Sequence, residues 1–364
     1  MADDSTVKVA TADCPAPAAT ADGRLPFVTV AMPVLNEARF IADTLDMILA
    51  QDYPADRIEV IVADAMSSDG TREIVGRYMH DHPRIRLIDN PGRFRAAGLN
   101  LAIVNGHGDI LICIDGHCHV APDFIRQEVQ LLEEHPDAWS VGGPTVNIGR
   151  NTFAKAAAVA MSHPCGVGMA THRFPNYEGY AEGACFPAFH RWVFDRVGLF
   201  DEAMVRTEDD ELNYRITQAG GRAYVSPRVR YRYYVRDTPR KLFQQYVQYG
   251  FWRIPVMRKH KRPTTPRQVV PPLFFLTMLA LAVVGMVLGQ PIVSAALPVI
   301  YLGALTVIGI ASIRRVGLKV ACLVPLAMAT IHFAYAAGIL YGLFAAAFLP
   351  SAFEPTGIMS QQKR

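Results

Sequence analysis

Asp115 and His117 stand just past the apolar run Ile110-Leu-Ile-Cys-Ile114. A run of that composition reads as a strand buried on both faces, as in a parallel sheet. A carboxylate is costly to bury unpaired, so Asp115 belongs at the strand's exit. In open α/β sheets ligands bind at that carboxyl end. On extended chain Asp115 and His117 project to one side, and an oxygen beside an imidazole suits a divalent cation such as Mn²⁺ or Mg²⁺. A turn-forming Asp-Gly accounts for the same residues equally well. A second acid, Asp64, ends the apolar run Ile58-Glu-Val-Ile-Val-Ala63 and precedes Ser67-Ser-Asp-Gly-Thr71. A third cluster, Arg206-Thr-Glu-Asp-Asp-Glu211, sets four acids in a row before a helical pattern. Such a run serves either as acid–base machinery or as a solvated first turn favoured by the helix dipole.

The elements that must hold these acids alternate. Phe27–Met32 reads as a strand, Pro33-Val-Leu-Asn-Glu37 as the loop leaving it, and residues 38–50 as a helix. Strands over 58–63 and 85–88 and a helix over 95–105 lead to the strand over 110–114. Alternation at this spacing predicts a doubly wound, mostly parallel α/β sheet. Asp64 and Asp115 then share one rim, which favours a site over two unrelated turns. A further helix is expected over 123–136, and a returning strand from Glu182 onward.

Pro33-Val-Leu-Asn-Glu37, Asp64 with Ser67–Thr71, Gly108-Asp-Ile110 and Asp115-Gly-His117 resemble, in order and spacing, the motifs of family 2 glycosyltransferases across roughly residues 27–255. The membrane-bound succinoglycan-type members are most similar, because they too have Asp-x-His where most relatives have Asp-x-Asp. The resemblance implies a GT-A fold, a nucleotide-diphosphate-sugar donor, a divalent cation and inversion at the anomeric carbon. It places Pro33, Asn36, Glu37, Asp64 and Asp115 on the nucleotide sugar, and Asp115 with His117 on the metal. The family's Glu-Asp motif falls on Glu208-Asp209, which implies Asp209 as general base and Glu208 as a positioning acid. Ala65 stands where many members have a second Asp.

Chemistry adds constraints of its own. His117 must be neutral to bind a metal, so activity should fall below about pH 6. His117-Cys-His119 spaces its ligands too closely for an ordinary structural zinc site. The segment Met161–Gly168 is Gly-rich and reads equally as a connection or a lid. Arg228, Arg230, Arg232 and Arg236 alternate with Val and Tyr, either as a solvated edge strand or as a phosphate-facing ladder. Residues 240–251 carry one apolar helical face suited to the bilayer interface. Gln248-Tyr-Gly-Phe-Trp-Arg253 only partly matches the Gln-x-x-Arg-Trp of processive relatives, and Trp252 and Arg253 either face the acceptor or hold the interface.

Beyond Arg258-Lys-His-Lys-Arg262 the composition changes. Uncharged runs at about 271–289, 291–313 and 320–345 are each long enough to cross a hydrocarbon core of about 30 Å. Basic clusters before the first run and at Arg314–Lys319 predict a cytoplasmic catalytic unit in the inner membrane. The chain thus divides into a disordered tail (1–26), a GT-A unit (27–255), a basic linker (256–270), a membrane region (271–349) and a carboxyl tail (350–364). The tail lacks the apolar core of a signal peptide, and the scattered cysteines at 14, 113, 118, 165, 185 and 322 suit a reducing compartment. A net charge of +3 gives no reason to expect nucleic acid. The expected activity is transfer of one sugar to a lipid-linked, polyprenyl-type acceptor in bacterial surface polysaccharide or glycolipid synthesis. A processive synthase and a silent nucleotide-sugar scaffold are the alternatives.

Overall fold

The apolar runs become the middle of a sheet because only a site covered on both faces can bury residues of both parities. The computed structural model describes residues 24–354. The amino-terminal tail up to residue 23 and residues 355–364 of the carboxyl tail lie outside them. In chain order, β1 (Val28–Val34), α1 (Ile41–Leu49), β2 (Ile58–Asp64), α2 (Thr71–Asp81), β3 (Ile85–Asp89), α3 (Arg95–Asn105) and β4 (Ile110–Cys113) keep the expected alternation. Next come β5 (His119–Val120), α4 (Phe124–Glu134), β6 (Ser140–Gly143), β7 (Asn147–Ile148), α5 (Thr152–Met161) and α6 (Pro164–Val167). They are followed by β8 (Gly179–Ala181), β9 (Cys185–His190), α7 (Arg191–Val197), α8 (Glu208–Gln218), β10 (Ala223–Val225) and β11 (Tyr231–Tyr234).

The main sheet runs β3-β2-β1-β4-β9-β6-β10-β8. β3, β2, β1 and β4 are parallel, and β9 enters antiparallel between β4 and β6. Every residue of β1, β2 and β4 is buried. Register sets Val34, Asp64 and Asp89 side by side at one rim. The strand order reverses between β1 and β4, which opens a crevice at the rim where the β1–α1 and β4–β5 loops diverge.

β11 is shorter than the arginine alternation suggested. Val229 N–H closes a turn on the Ser226 carbonyl, and Arg228 and Arg230 are drawn to α4 instead, through Glu134 and Asp123. Arg230 is therefore no part of the rim, and its charge is spent on Asp123.

α9 (Pro239–His260) runs unbroken through the expected border at residue 255. After it, α10 (Val270–Val287), α11 (Pro291–Val316), α12 (Leu318–Ala321) and α13 (Val324–Phe348) complete the described chain. Three stretches, Pro266–Val287, Pro291–Val316 and Leu318–Phe348, are long and apolar enough to cross a membrane. The last forms one long helix after a short turn rather than a re-entrant pair. The apolar face of α9 turns into protein: Leu242, Tyr246, Gly250 and Phe251 are buried. A Cβ on Gly250 would lie 2.3 Å from the Tyr335 carbonyl oxygen, and one on Gly338 2.2 Å from that of Val247, so the α9 and α13 backbones nearly touch. α5 adds Ala156, Ala157 and Ala160 to the same cluster. The Gly-rich segment is tied down rather than poised as a lid, since His332 Nε2 meets the Cys165 carbonyl at 2.7 Å.

Candidate active site

The β1–α1 and β2–α2 loops are stitched together. Asn36 adopts φ 56°, a left-handed conformation that Asn tolerates. This turns its N–H to Ser67 Oγ at 2.8 Å and its Oδ1 to the Ser68 N–H at 2.9 Å. Glu37 N–H donates to Thr71 Oγ1 and Ala38 N–H to Asp69 Oδ2. Beneath them Asp64 is fully buried, and its Oδ2 accepts from Ser67 N–H (3.0 Å) and Arg72 Nη1 (2.8 Å). Its Oδ1 is buried with no hydrogen-bond partner among the described residues. Pro33, buried beside Ala63 in the adjoining strands, shapes the floor, and its side chain offers no polar atom.

Across the crevice, Gly116 lets the β4–β5 loop lie against β1, because a Cβ there would come 2.7 Å from Val34 Cγ1. Glu37 Oε1 lies 2.9 Å from His117 Nδ1. Such a carboxylate–imidazole contact orients the ring, as it does for many metal-binding histidines. Among the described residues no group of three or more His, Cys, Asp or Glu could hold a metal by itself. Asp115 and His117 supply an oxygen and an imidazole nitrogen, donor types that a divalent cation accepts.

Arg95 joins the two halves of the site and was not singled out from the sequence. Its Nε donates to Asp115 Oδ1 and its Nη1 to Glu208 Oε1, both at 2.9 Å. It opens α3, where a cation opposes the helix dipole. That local misfit is the one signal the sequence offered.

The four acids of α8 have different fates. Thr207 precedes them at φ 65°, unusual for a β-branched residue, with its hydroxyl bonded to the Trp252 carbonyl at 3.1 Å. Glu208 pairs with Arg95, Asp210 with Arg253 at 2.7 Å, and Glu211 with Arg215 and Lys259. Asp209 alone has no ion pair among the described residues. Its side chain is exposed to solvent, while the surrounding protein still makes its charged form costly. Burial, then the charges of Asp210 and Glu208, push its carboxyl up to about 7 against the opposing pull of Arg95. For Asp210, burial acts upward too, but Arg253 outweighs it and holds the carboxyl below its ordinary value.

Trp252 belongs to neither the acceptor side nor a lipid interface. It is fully buried with Val205, Phe251 and Ala345, its ring edge-on to Phe353. Its neighbour Arg253 points the other way, into the α8 acids.

A mostly parallel sheet of this order, with its acids gathered at the switch point, is the GT-A glycosyltransferase fold. A solved structure described as a mannosyltransferase from Pyrobaculum calidifontis in complex with GDP-Man and Mn²⁺ superposes with a TM-score of 0.57 at 21% identity, covering 88% of each chain. The Glycosyl transferase family 2 model matches residues 29–192. The succinoglycan biosynthesis protein ExoA of Rhizobium meliloti is 33% identical over 263 residues, 69% of this chain and 78% of that one. A dolichyl N-acetyl-α-D-glucosaminyl phosphate 3-β-D-2,3-diacetamido-2,3-dideoxy-β-D-glucuronosyltransferase of Methanococcus voltae is 25% identical over 64% of this chain and 74% of its own. This chain belongs to glycosyltransferase family 2.

Proposed function

We propose that the chain is an inverting enzyme that moves one sugar from a nucleotide-diphosphate sugar to a lipid-linked acceptor at the cytoplasmic face of a bacterial inner membrane, in polysaccharide synthesis. The observation that carries it is Asp209, the one acid of its run without an ion pair, with its carboxyl raised to about 7. A base works best when its pKa lies near the working pH. Asp209 takes the proton from the acceptor hydroxyl as that oxygen attacks the anomeric carbon. The bond from that carbon to the diphosphate breaks, the nucleoside diphosphate leaves with the electron pair, and a single displacement inverts the centre. Arg95 holds Asp115 and Glu208 in register on either side of the reacting carbon. The unpaired Asp64 Oδ1 suits a base N–H of the nucleoside, and the Asn36–Glu37 loop lies over it.

Asp115 and His117 would hold Mn²⁺ or Mg²⁺. Such an ion, when bound, offsets the charge growing on the leaving diphosphate. The acceptor class is supported by the membrane-spanning lengths of the carboxyl-terminal helices and by the dolichyl-linked substrate in the name of the Methanococcus relative. The succinoglycan relative supports the polysaccharide role. The test is Asp209→Asn in the purified full-length protein. Transfer should fall by about 10²–10⁴-fold, the usual worth of a general base, while nucleoside diphosphate still binds. A variant that retains full turnover overturns the assignment.

A further inference from the structure

Buried polar atoms normally find partners, so several without one in the same place need a reason. Between α8, α9 and the linker to α10 there is such a place. Arg253 gives Nη2 to Asp210, but its Nε and Nη1 are buried with no partner. His172 Nδ1, Tyr246 Oη and Thr265 Oγ1 are likewise buried and unpartnered among the described residues. Three guanidiniums converge here from three segments: Arg173 from the loop before β8, Arg253 from α9 and Arg267 from the linker. All three act on His172, which burial and their repulsion together hold neutral, its pKa lowered to about 3. Arg267 pairs with Glu182 and covers Gly168, and Arg253 pairs with Asp210. Arg173 has no carboxylate partner among the described residues. Its surroundings are the phenols of Tyr233, Tyr246 and Tyr249, and Gln245 bridges Tyr233 and Tyr249 at 2.8 and 3.0 Å.

Arg267 has Glu182 and Arg253 has Asp210, with Asp209 also acting on Arg253, but Arg173 has no carboxylate partner among the described residues, and a buried guanidinium without one is costly unless an anion belongs there. Guanidinium and hydroxyl donors match phosphate oxygens, which Arg can bind in pairs. The place is bounded on one side by Asp210, next to Asp209, and on the other by Arg267, at the very start of the first membrane-length stretch, Pro266–Val287. A phosphate at a bilayer surface, with its hydrocarbon in the membrane and its sugar reaching Asp209, meets both boundaries.

We propose that Arg173, Arg253 and Arg267, with Tyr246 and Thr265, form an anion subsite that binds the phosphate or diphosphate of an isoprenoid-linked acceptor and so sets which acceptors reach Asp209. This rests on the lipid-linked reading above. Asp210 is a positioning residue that fixes Arg253, which also lies beside the Tyr335 hydroxyl.

The test uses the full-length protein in detergent, its donor site filled with nucleoside diphosphate and Mn²⁺, and farnesyl diphosphate as the probe. Farnesyl diphosphate should bind, and Arg173→Ala and Arg267→Ala should each weaken it by about tenfold or more, the worth of a charge-assisted hydrogen bond. Arg173→Lys should recover part of that loss, and nucleoside diphosphate affinity, which reports folding, should not move. Unchanged probe affinity in both alanine variants overturns the proposal, as does farnesol binding as tightly as the diphosphate. Inorganic pyrophosphate competing as well as the farnesyl compound overturns the lipid part. Loss of the Asp209 assignment would show in turnover alone and leave these affinities untouched, so the two readings fail separately.

Discussion

Asp209 and Asp210 are adjacent acids with opposite electrostatics, and the contrast is testable. Because burial and its neighbours raise the Asp209 carboxyl to about 7, a base at this position, as proposed, is disabled by protonation below that value. The kcat profile should therefore climb through about pH 7 toward alkali, and an acid-side plateau reaching down to pH 5 would contradict it. The same shift has a cost in stability. A carboxyl whose pKa is higher folded than unfolded favours the fold while protonated. That contribution is complete below its unfolded value of about 3.9 and is lost as pH rises through about 7. Asp209→Asn should raise Tm at pH 8 and leave it unchanged near pH 4, as read by thermal denaturation at the two pH values. Arg95→Met, by contrast, strips the partner from two largely buried carboxylates and should destabilise by on the order of 3 kcal/mol. Arg95→Lys should restore only one of the two bonds, since an ammonium cannot fork as a guanidinium does. At this scale the sequence disclosed the acids, because a charge ending an apolar run is visible without a fold. It hid what neutralises them. Arg95 reaches Glu208 across 113 positions of chain, and Trp252 and Arg253, read together as one feature, face opposite ways on α9.

The strands of the sheet were legible element by element, because burial on both faces leaves no choice of residue type. α9 was not. Its apolar stripe at Leu242, Tyr246, Gly250 and Phe251 is what a helix on a bilayer surface would carry, and a stripe does not say what covers it. Gly250 and Gly338 settle the matter, because they permit two backbones to approach where any side chain would strike a carbonyl. Small residues at such crossings are how helices pack closely without a hydrophobic driving force. Gly338→Leu should force α9 and α13 apart, with overpacking costs of about 1–3 kcal/mol or more. The readout is loss of a monodisperse peak in size-exclusion chromatography together with loss of transfer. An outwardly placed control, Gly303→Leu, meets no atom within 4 Å and should behave as the parent. The short β11 makes the same point in reverse: alternation along 228–236 was real, but ion pairs to α4 took Arg228 and Arg230 away from the strand.

For the molecule as a whole, composition suggested a GT-A unit, a basic linker and then a membrane region. The spans were plain in the sequence because a long uncharged run needs no tertiary context to be recognised. Their bond to the catalytic half was not, since Ala156, Ala157 and Ala160 look like any good helix. α13 covers the buried faces of both α5 and α9, so a chain ended after residue 260 would expose them together. Such a truncation should aggregate rather than yield a soluble enzyme, as static light scattering would show, and a monomeric active product would contradict it. Orientation is testable as well: with the basic clusters inside, a cysteine placed at Gln290 should react with a membrane-impermeant maleimide from outside intact spheroplasts. The contact between α9 and α13 also has a consequence in time. The helix that covers α5 and α9 is made after both of them, so α9 waits, its inner face uncovered, while α10 and α11 are made. Domains usually fold as units during synthesis, amino-terminal end first. Here the sheet can form early, but the wall beside Arg253 is finished only when α13 is seated. Nascent chains stranded in the cytosol would lack that wall, so competence for sugar transfer arrives together with delivery to the bilayer.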